Sequence, residues 1–270
     1  MEQYLWLIPL GFVVGAYGTL IGAGGGFVLV PALLLLYPAK SPEVITSISL
    51  AVVFVNALSG SLAYARLGRI DYRSGLLFSA ATVPGAVLGV LTTAYVPRRL
   101  FAAAFGLLIL TASVFLMLRP TPKTAKNRTA SRGLSRCLVE ADGTSHSFSY
   151  NPRIGVGLSL VVGYVSSLLG IGGGIIHVPA LAYLLNFPVH IATATSHFIL
   201  AVTALTGTSV HLARGTLQQG ASAAVPLAIG VLLGAQVGAV ISCRTQNTWI
   251  IRGLALALGF VGIRTLIMAL

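Results

Sequence analysis

Two short glycine clusters carry the clearest potential for chemistry in this chain: Gly22-Ala23-Gly24-Gly25-Gly26 and Gly170-Ile171-Gly172-Gly173-Gly174. Four glycines in five positions suit a continuous helix poorly, since each costs up to about 1 kcal/mol relative to alanine. Both clusters therefore mark a break. Apolar sequence surrounds them, and a break in such a setting frees backbone N–H and C=O groups that lipid cannot satisfy, so protein, water or a ligand must supply partners. If helix resumes at Gly26 and Gly174, its first N–H groups and positive dipole end point at the break, an arrangement that binds small anions without a charged side chain. The plainer reading, a tight turn between two half-helices, is contained in this one.

Polar side chains follow each cluster. Asn56, Gly60 and Tyr64 fall at i, i+4 and i+8, and Thr203, Gly207 and His211 repeat that stripe, with Thr46-Ser47 and Thr195-Ser196-His197 preceding them. The candidate substrate-binding set is Gly22, Gly24, Gly25, Gly26, Thr46, Ser47, Asn56, Gly170, Gly172, Gly173, Gly174, Thr195, Ser196 and His197. Against it stands the habit of membrane serines and threonines of bonding only to a neighbouring helix or their own backbone. His177, His197 and His211 are candidates for proton coupling, because an intramembrane ionisable group marks a functional site by default and imidazole exchanges protons near neutral pH; a neutral ring bridging two helices is the alternative. These histidines lack acidic or cysteine companions, and Cys137 and Cys243 have no metal or redox spacing, so neither a metal nor another cofactor is expected. Every acidic residue, Glu2, Glu43, Asp71, Glu140 and Asp142, falls at a segment end or in a loop. A core without carboxylates argues against a cation pump and suits an anionic substrate. Nucleophile-elbow, zinc-protease and phosphate-loop motifs are absent, so the chain does not read as an enzyme or an ATP-driven pump.

The elements that must position these residues are membrane helices. Of 270 residues 56% are hydrophobic and only 8% charged, with a mean hydropathy of +0.92, whereas soluble proteins carry about 25% charged residues. The net charge of +12 is then a topology signal, not a sign of nucleic-acid binding. Apolar segments at 5–37, 43–65, 74–96, 100–118, 154–186, 190–212, 221–242 and 248–269 predict an all-α polytopic membrane protein of about eight transmembrane segments. The first segment of each half is 33 residues long, about 50 Å as continuous helix. That is too long for one hydrocarbon core of about 30 Å and too short for two full crossings, so each is broken or re-entrant. Glycines at 11, 15, 18 and 22, at 85 and 89, and at 230, 234 and 238 form helix-face stripes suited to close backbone packing in lipid.

An internal repeat organises the chain. With a shift of 148, Gly15, Gly22, Gly24, Gly25, Gly26, Pro31, Ala32 and Leu33 fall on Gly163, Gly170, Gly172, Gly173, Gly174, Pro179, Ala180 and Leu181, and with small further shifts Thr46-Ser47 answers Thr195-Ser196 and Gly60 answers Gly207. Two homologous four-segment halves follow, 1–118 and 154–270, joined by a basic loop at 119–153. Its Arg119, Lys123, Lys126, Arg128, Arg132, Arg136 and Arg153 predict a cytoplasmic location, and Asp142-Gly143 predicts a small exposed β-hairpin over 136–150 with a two-residue turn. If each broken segment crosses once the halves are parallel; if it returns to its own side they are inverted.

The doubled glycine clusters, each followed by Val-Pro-Ala-Leu, the Thr-Ser pairs and the basic loop with its Asp-Gly hairpin resemble the sulfite exporter TauE/SafE family. That resemblance covers nearly the whole chain. It implies a multi-pass transporter of the prokaryotic cytoplasmic (inner) membrane for sulfite, sulfonates such as sulfoacetate, or related small organosulfur anions, usually an exporter. The lipid bilayer is the other expected partner, and the residues leave open whether the chain forms a homo-oligomer. Alternating access between the halves is the favoured mechanism, and a passive channel or a structural protein whose glycines serve only packing is the alternative.

Overall fold

The computed structural model describes residues 4–118, 134–244 and 259–267. Within them the chain runs α1 (Leu7–Ile21), α2 (Gly26–Leu36), α3 (Pro42–Arg66), α4 (Tyr72–Thr93), α5 (Arg98–Leu118), strands β1 (Leu134–Val139) and β2 (Ser145–Tyr150), α6 (Pro152–Leu169), α7 (Gly174–Pro179) continuing as a π-helical turn over Ala180–Leu184, α8 (Val189–Ala213), a 3-10 turn (Leu217–Gly220) and α9 (Ala221–Arg244). A further helical stretch covers 259–267. Five helical stretches among the described residues are long and apolar enough to cross a membrane: α3, α4, α6, α8 and Leu217–Ser242. Large apolar side chains such as Val13, Leu76, Leu88, Leu107, Val161 and Leu233 point outward. That apolar exterior is what a polytopic membrane protein presents to lipid.

Helix starts are written locally. Ser41 accepts a hydrogen bond from the Val44 N–H and Pro42 stands at the first helical position of α3; Asn151 and Pro152 do the same for α6, and Asp71 caps α4 through the Ser74 N–H. These are the capping side chains and N-terminal prolines that sequence rules favour.

Two groups of helix ends define the two ends of the bundle. At one, the start of α1 packs on the first half of α9 (Gly11 against Leu227, Ile8 against Gly230), Lys40 after α2 donates to the Gln219 carbonyl, Arg214 at the end of α8 pairs with Glu43 at the start of α3, and Arg98 of α5 donates to the Leu34 carbonyl of α2. At the other, Gly155 at the start of α6 meets Phe78, Phe187 after the π-turn packs on Phe148 and Tyr150 of the hairpin, and Asp71 at the start of α4 donates its N–H to Thr195 near the start of α8. Both arms of α1–α2 therefore sit at the first end and both arms of α6–α7 at the second. Each broken segment turns back to the end it came from, which settles for the described residues how the 33-residue segments fit: they enter and return.

The helix contacts come in matched pairs. α1 runs parallel to α9, α6 runs parallel to α4, and α3 crosses α8 antiparallel at the centre. The glycine stripes make the parallel pairs. A Cβ built on Gly234 would lie 2.2 Å from the Phe12 carbonyl oxygen, and one on Gly85 would lie 2.2 Å from that of Leu160. Backbones this close are the reason for small residues at such interfaces.

The hairpin forms between β1 and β2, in register from Leu134↔Tyr150 to Val139↔Ser145. It departs from the sequence expectation twice. Glu140 N–H bonds the Thr144 carbonyl, leaving a three-residue turn over 141–143 with Gly143 left-handed (φ 86°), so one residue more than the two-residue turn is needed. Nor is it merely exposed: Phe148 and Tyr150 are buried against Phe78, Leu181, Leu185 and Phe187, while Glu140 takes a 2.6 Å salt bridge from Arg69 and its neighbour Ala141 donates to the Leu67 carbonyl. It caps the α3–α4 corner. Asp142, exposed in the turn, has its carboxyl held below the usual range by the hydrogen bond it accepts from the Thr144 N–H.

Gly85→Ala or Gly234→Ala is expected to cost about 1–3 kcal/mol through forced separation of backbones. Gly157→Ala, with nothing within 4 Å of its built Cβ, should be neutral or gain up to about 1 kcal/mol. Thermal unfolding of the purified protein in detergent checks the contrast.

Candidate functional site

Both glycine clusters break their helices as the residue types dictate. α1 ends on Gly22 in the left-handed region (φ 79°), with the Gly22 and Ala23 N–H groups returning to Thr19 and Gly18, and Gly24 and Gly25 follow with φ 75° and 81° before α2 begins. α6 ends on Gly170 (φ 72°), and Gly172 and Gly173 follow at 79° and 95°. L-residues pay a steric penalty at such angles. This is why three glycines recur in each turn.

The two breaks meet at the centre of the bundle. A Cβ on Gly26 would lie 2.8 Å from the Gly170 and Ile171 carbonyl oxygens, and one on Gly174 would lie 2.4 Å from the Gly22 carbonyl oxygen. Each resumed helix thus starts against the end of the opposite break. Val53 of α3 and Leu200 of α8 close the space between: a Cβ on Gly24 would be 2.3 Å from Leu200, and one on Gly172 would be 2.5 Å from Val53. Neither of the two cavities described, one of about 400 Å³ lined by α2, α5 and 259–267 and one of about 320 Å³ between β1 and the α3–α4 corner, opens onto the breaks. The N–H groups of Gly25, Gly26 and Phe27, and of Gly173, Gly174 and Ile175, make no backbone hydrogen bond. They are the orphan donors that every helix start leaves, buried here and without a capping side chain.

The polar side chains divide into two groups flanking the Val53–Leu200 contact. Beside the first break, Thr19 donates to Asn56 Oδ1 at 3.1 Å and Tyr64 to the Thr19 carbonyl at 2.8 Å, while the Tyr64 ring stands edge-on to His197 with centroids 5.7 Å apart. Asn56 Nδ2 and both His197 nitrogens lack a hydrogen-bond partner, although Asn56 and His197 are fully buried. Beside the second break, Ser49 donates to the Gly170 carbonyl at 2.6 Å, Thr46 lies 3.5 Å from His211 Nε2, and Ser167 Oγ and His211 Nδ1 are unpartnered.

Of the residues expected from sequence, Gly22, Gly24, Gly25, Gly26, Gly170, Gly172, Gly173, Gly174, Thr46, Asn56 and His197 lie at or beside the paired breaks. Of the other three, Thr195 is placed elsewhere. Ser47 bonds the Val44 carbonyl of its own helix, Thr195 accepts from the Asp71 N–H at the α3–α4 corner, and Ser196 Oγ is buried without a partner. His177 faces Ser159 of α6 at 3.2 Å, a helix-bridging contact. Thr19, Ser49 and Thr193 join the set. Thr193 stands to Gly22 (2.6 Å from its built Cβ) as Thr46 stands to Gly170 (3.0 Å), so the structural counterpart of Thr46 is Thr193, two residues before the Thr195 that matching Thr-Ser pairs selects. Carrying the Gly60–Gly207 match back along the helix, a shift of 147, would have found it.

A helical membrane protein with two re-entrant, glycine-broken segments meeting at its centre is the class these features define. The sulfite exporter TauE/SafE family matches residues 7–265, and the chain belongs to that family. It is 32% identical over 266 residues, 96% of each chain, to "Probable membrane transporter protein YunE" of Bacillus subtilis. It is also 26% identical to a probable membrane transporter protein of Methanocaldococcus jannaschii over 79% of this chain and 76% of the relative, and 26% identical to one of Xylella fastidiosa over 90% and 87%. No solved structure matches it. The chain is accordingly a membrane transporter protein of this family.

Ser49→Ala removes the only side-chain donor to the Gly170 carbonyl among the described residues, and should cost about 1–3 kcal/mol, the range for orphaning a buried acceptor. Ser47→Ala, which gives up only a bond within its own helix, should cost measurably less. Unfolding midpoints of the two variants in one detergent decide.

Proposed function

We propose that the chain is a secondary transporter of small organosulfur anions, sulfite or sulfonates such as sulfoacetate, and that it works as an exporter by alternating access. In this reading residues 1–118 and 154–270 are homologous halves of opposite orientation, together about eight membrane segments, which rock around the central breaks. The observation that carries it is the pair of helix starts, Gly26 and Gly174, each with three buried N–H groups free of backbone bonds, brought together at one place. Donors and dipole ends of this kind favour negative charge. The described residues place no Asp, Glu, Lys or Arg beside the breaks: Glu43, Asp71, Glu140 and Asp142 lie at the two ends of the bundle. A cation would find no counter-charge there. The family name, sulfite exporter, supports the substrate class.

Orientation follows from the cations. Arg66, Arg69, Arg73, Arg136 and Arg153 flank the hairpin end, and the segment that leads into the hairpin adds Arg119, Lys123, Lys126, Arg128 and Arg132, whereas Lys40, Arg98, Arg99, Arg214 and Arg264 go with the opposite end. The richer end is cytoplasmic by the positive-inside rule, which puts the hairpin in the cytoplasm of a prokaryotic cell and the protein in its cytoplasmic (inner) membrane. Transport then requires the Val53 and Leu200 side chains to separate, since they fill the space between the breaks.

Flux into proteoliposomes tests the proposal. Saturable uptake of sulfite or sulfoacetate, with discrimination against sulfate, is the expected result; unsaturable flux supports a passive channel and no flux for any anion supports a structural protein. Gly25→Val and Gly173→Val place a β-branched side chain at φ 81° and 95°, and should abolish anion binding while the protein still inserts. Wild-type affinity in both would remove the breaks from the site.

A further inference from the structure

One face of α8 runs along the first break. Thr193, His197 and Leu200 fall at i, i+4 and i+7, a spacing that aligns side chains on one side of a helix. The outer two touch the break: a Cβ on Gly22 would lie 2.6 Å from Thr193, and one on Gly24 would lie 2.3 Å from Leu200. His197 sits between them, fully buried, with neither ring nitrogen hydrogen-bonded.

Among the described residues, the surroundings of that imidazole carry no charge. From α3 come Tyr64, edge-on at 5.7 Å, and Gly60, whose built Cβ would be 2.8 Å from Nε2; from α1 come Thr19, which with His197 lines Gly60, and the Gly22 carbonyl, near the ring but outside hydrogen-bond geometry; α9 adds the apolar Ala239 beside Tyr64. Tyr64 is the one titratable group among them, and its hydroxyl is engaged by the Thr19 carbonyl. In the other half Leu50 occupies the corresponding position against Gly207, 2.8 Å from its built Cβ. At this helix position the imidazole exists on one side only; His211 of the other half lies against Thr46.

We propose that His197 takes up a proton when an anion occupies the first break, so that anion and proton cross the membrane together. The inference rests on the anion-transport reading above. Burying an imidazolium with no counter-charge is strongly unfavourable, as is burying an anion that meets only neutral donors. Placed side by side, each supplies what the other lacks. Binding of one therefore strengthens binding of the other by the same factor. His211 does not fit the role as well, because it lies against Thr46 and one turn from Arg214 at the bundle end.

The test uses the full chain reconstituted in vesicles, with sulfoacetate as probe because its charge is constant between pH 6 and 8, and with the membrane potential clamped. Counterflow of labelled against unlabelled sulfoacetate at equal pH reports anion transport alone. An acid-outside gradient should drive accumulation above equilibrium, with acidification of the lumen, and apparent affinity should fall about tenfold per unit rise in pH, the slope for one linked proton. His197→Gln should lose both the gradient-driven accumulation and the pH slope of apparent affinity; where it also loses counterflow, the wild-type proton measurement below decides. Wild-type counterflow without accumulation overturns the inference, as does a His197→Gln variant that retains accumulation. If His197→Gln does not fold, a pH indicator in weakly buffered detergent decides with the wild type: one proton taken up per sulfoacetate bound supports the inference, and none overturns it. Absence of counterflow in the wild type would instead sink the anion-transport reading, and the inference with it.

Discussion

A backbone group removed from water must find a partner, and in lipid none is offered. That constraint shapes everything near the centre of this molecule. Six N–H groups at the starts of α2 and α7 have no backbone acceptor, and no side chain caps either start. Carbonyl oxygens of the opposite break, Gly22 on one side and Gly170 and Ile171 on the other, lie close to the first residue of each resumed helix. Each positive helix end therefore faces the negative ends of peptide groups, a weak electrostatic match that a bound oxyanion would improve. The rest of the fold serves this meeting: α3 and α8 cross beside it, and the parallel pairs α1–α9 and α4–α6 hold the broken segments in place through their glycine stripes.

The distribution of glycine separates two physical roles. Along α1, α4 and α9 the glycines have ordinary helical angles and exist because a neighbouring backbone occupies the space of a side chain, as Gly85 and Gly234 illustrate. At the breaks the angles themselves are left-handed, and Gly25 at φ 81° would be strained by any side chain even with room around it. A stripe glycine could be exchanged for alanine if the helices moved apart; a break glycine could not be relieved that way. Only the second kind gives the chain its unsatisfied donors.

Much of this was legible in the residues. Glycine clusters predicted breaks, segment lengths predicted that each broken segment was the wrong length for either one or two crossings, and Asp142-Gly143 predicted the hairpin turn region; all three appear in the structure. What could not be read was the direction of the broken segments, because charge bias fixes sides only when the number of crossings is known, and the number depended on the path. Contacts such as Lys40 with Gln219 and Phe187 with Tyr150 resolve it. Matching Thr-Ser pairs also misjudged register: helices α3 and α8 look alike at a shift of 149 in sequence, but the contacts made by Thr46 and Thr193 follow a shift of 147. On a helix two residues amount to more than half a turn, enough to carry Thr195 from the breaks to the α3–α4 corner. The expected basic loop and last apolar segment lie largely outside the described residues, as does the Cys243 side chain.

The asymmetry between the halves carries the argument furthest. Were the paired breaks chemically identical, one anion midway between them would gain equally from either side, and nothing would distinguish the two directions except the environment. Having His197 in one half where the other has Leu50 puts an imidazole with two unpartnered nitrogens next to the first break, where Asn56 Nδ2 also lacks a partner. The second break instead has its Gly170 carbonyl tied to Ser49 and its Thr203 hydroxyl to Thr82 and the Ile199 carbonyl. Ser167 Oγ and His211 Nδ1 stay unpartnered beside the second break, so open polar capacity is present on both sides, with Asn56 Nδ2 and both His197 nitrogens on the first. In the proposed reading, an anion leaning toward the first break, on the hairpin side, meets Asn56 and His197 without displacing an existing side-chain bond while Val53 and Leu200 remain in contact.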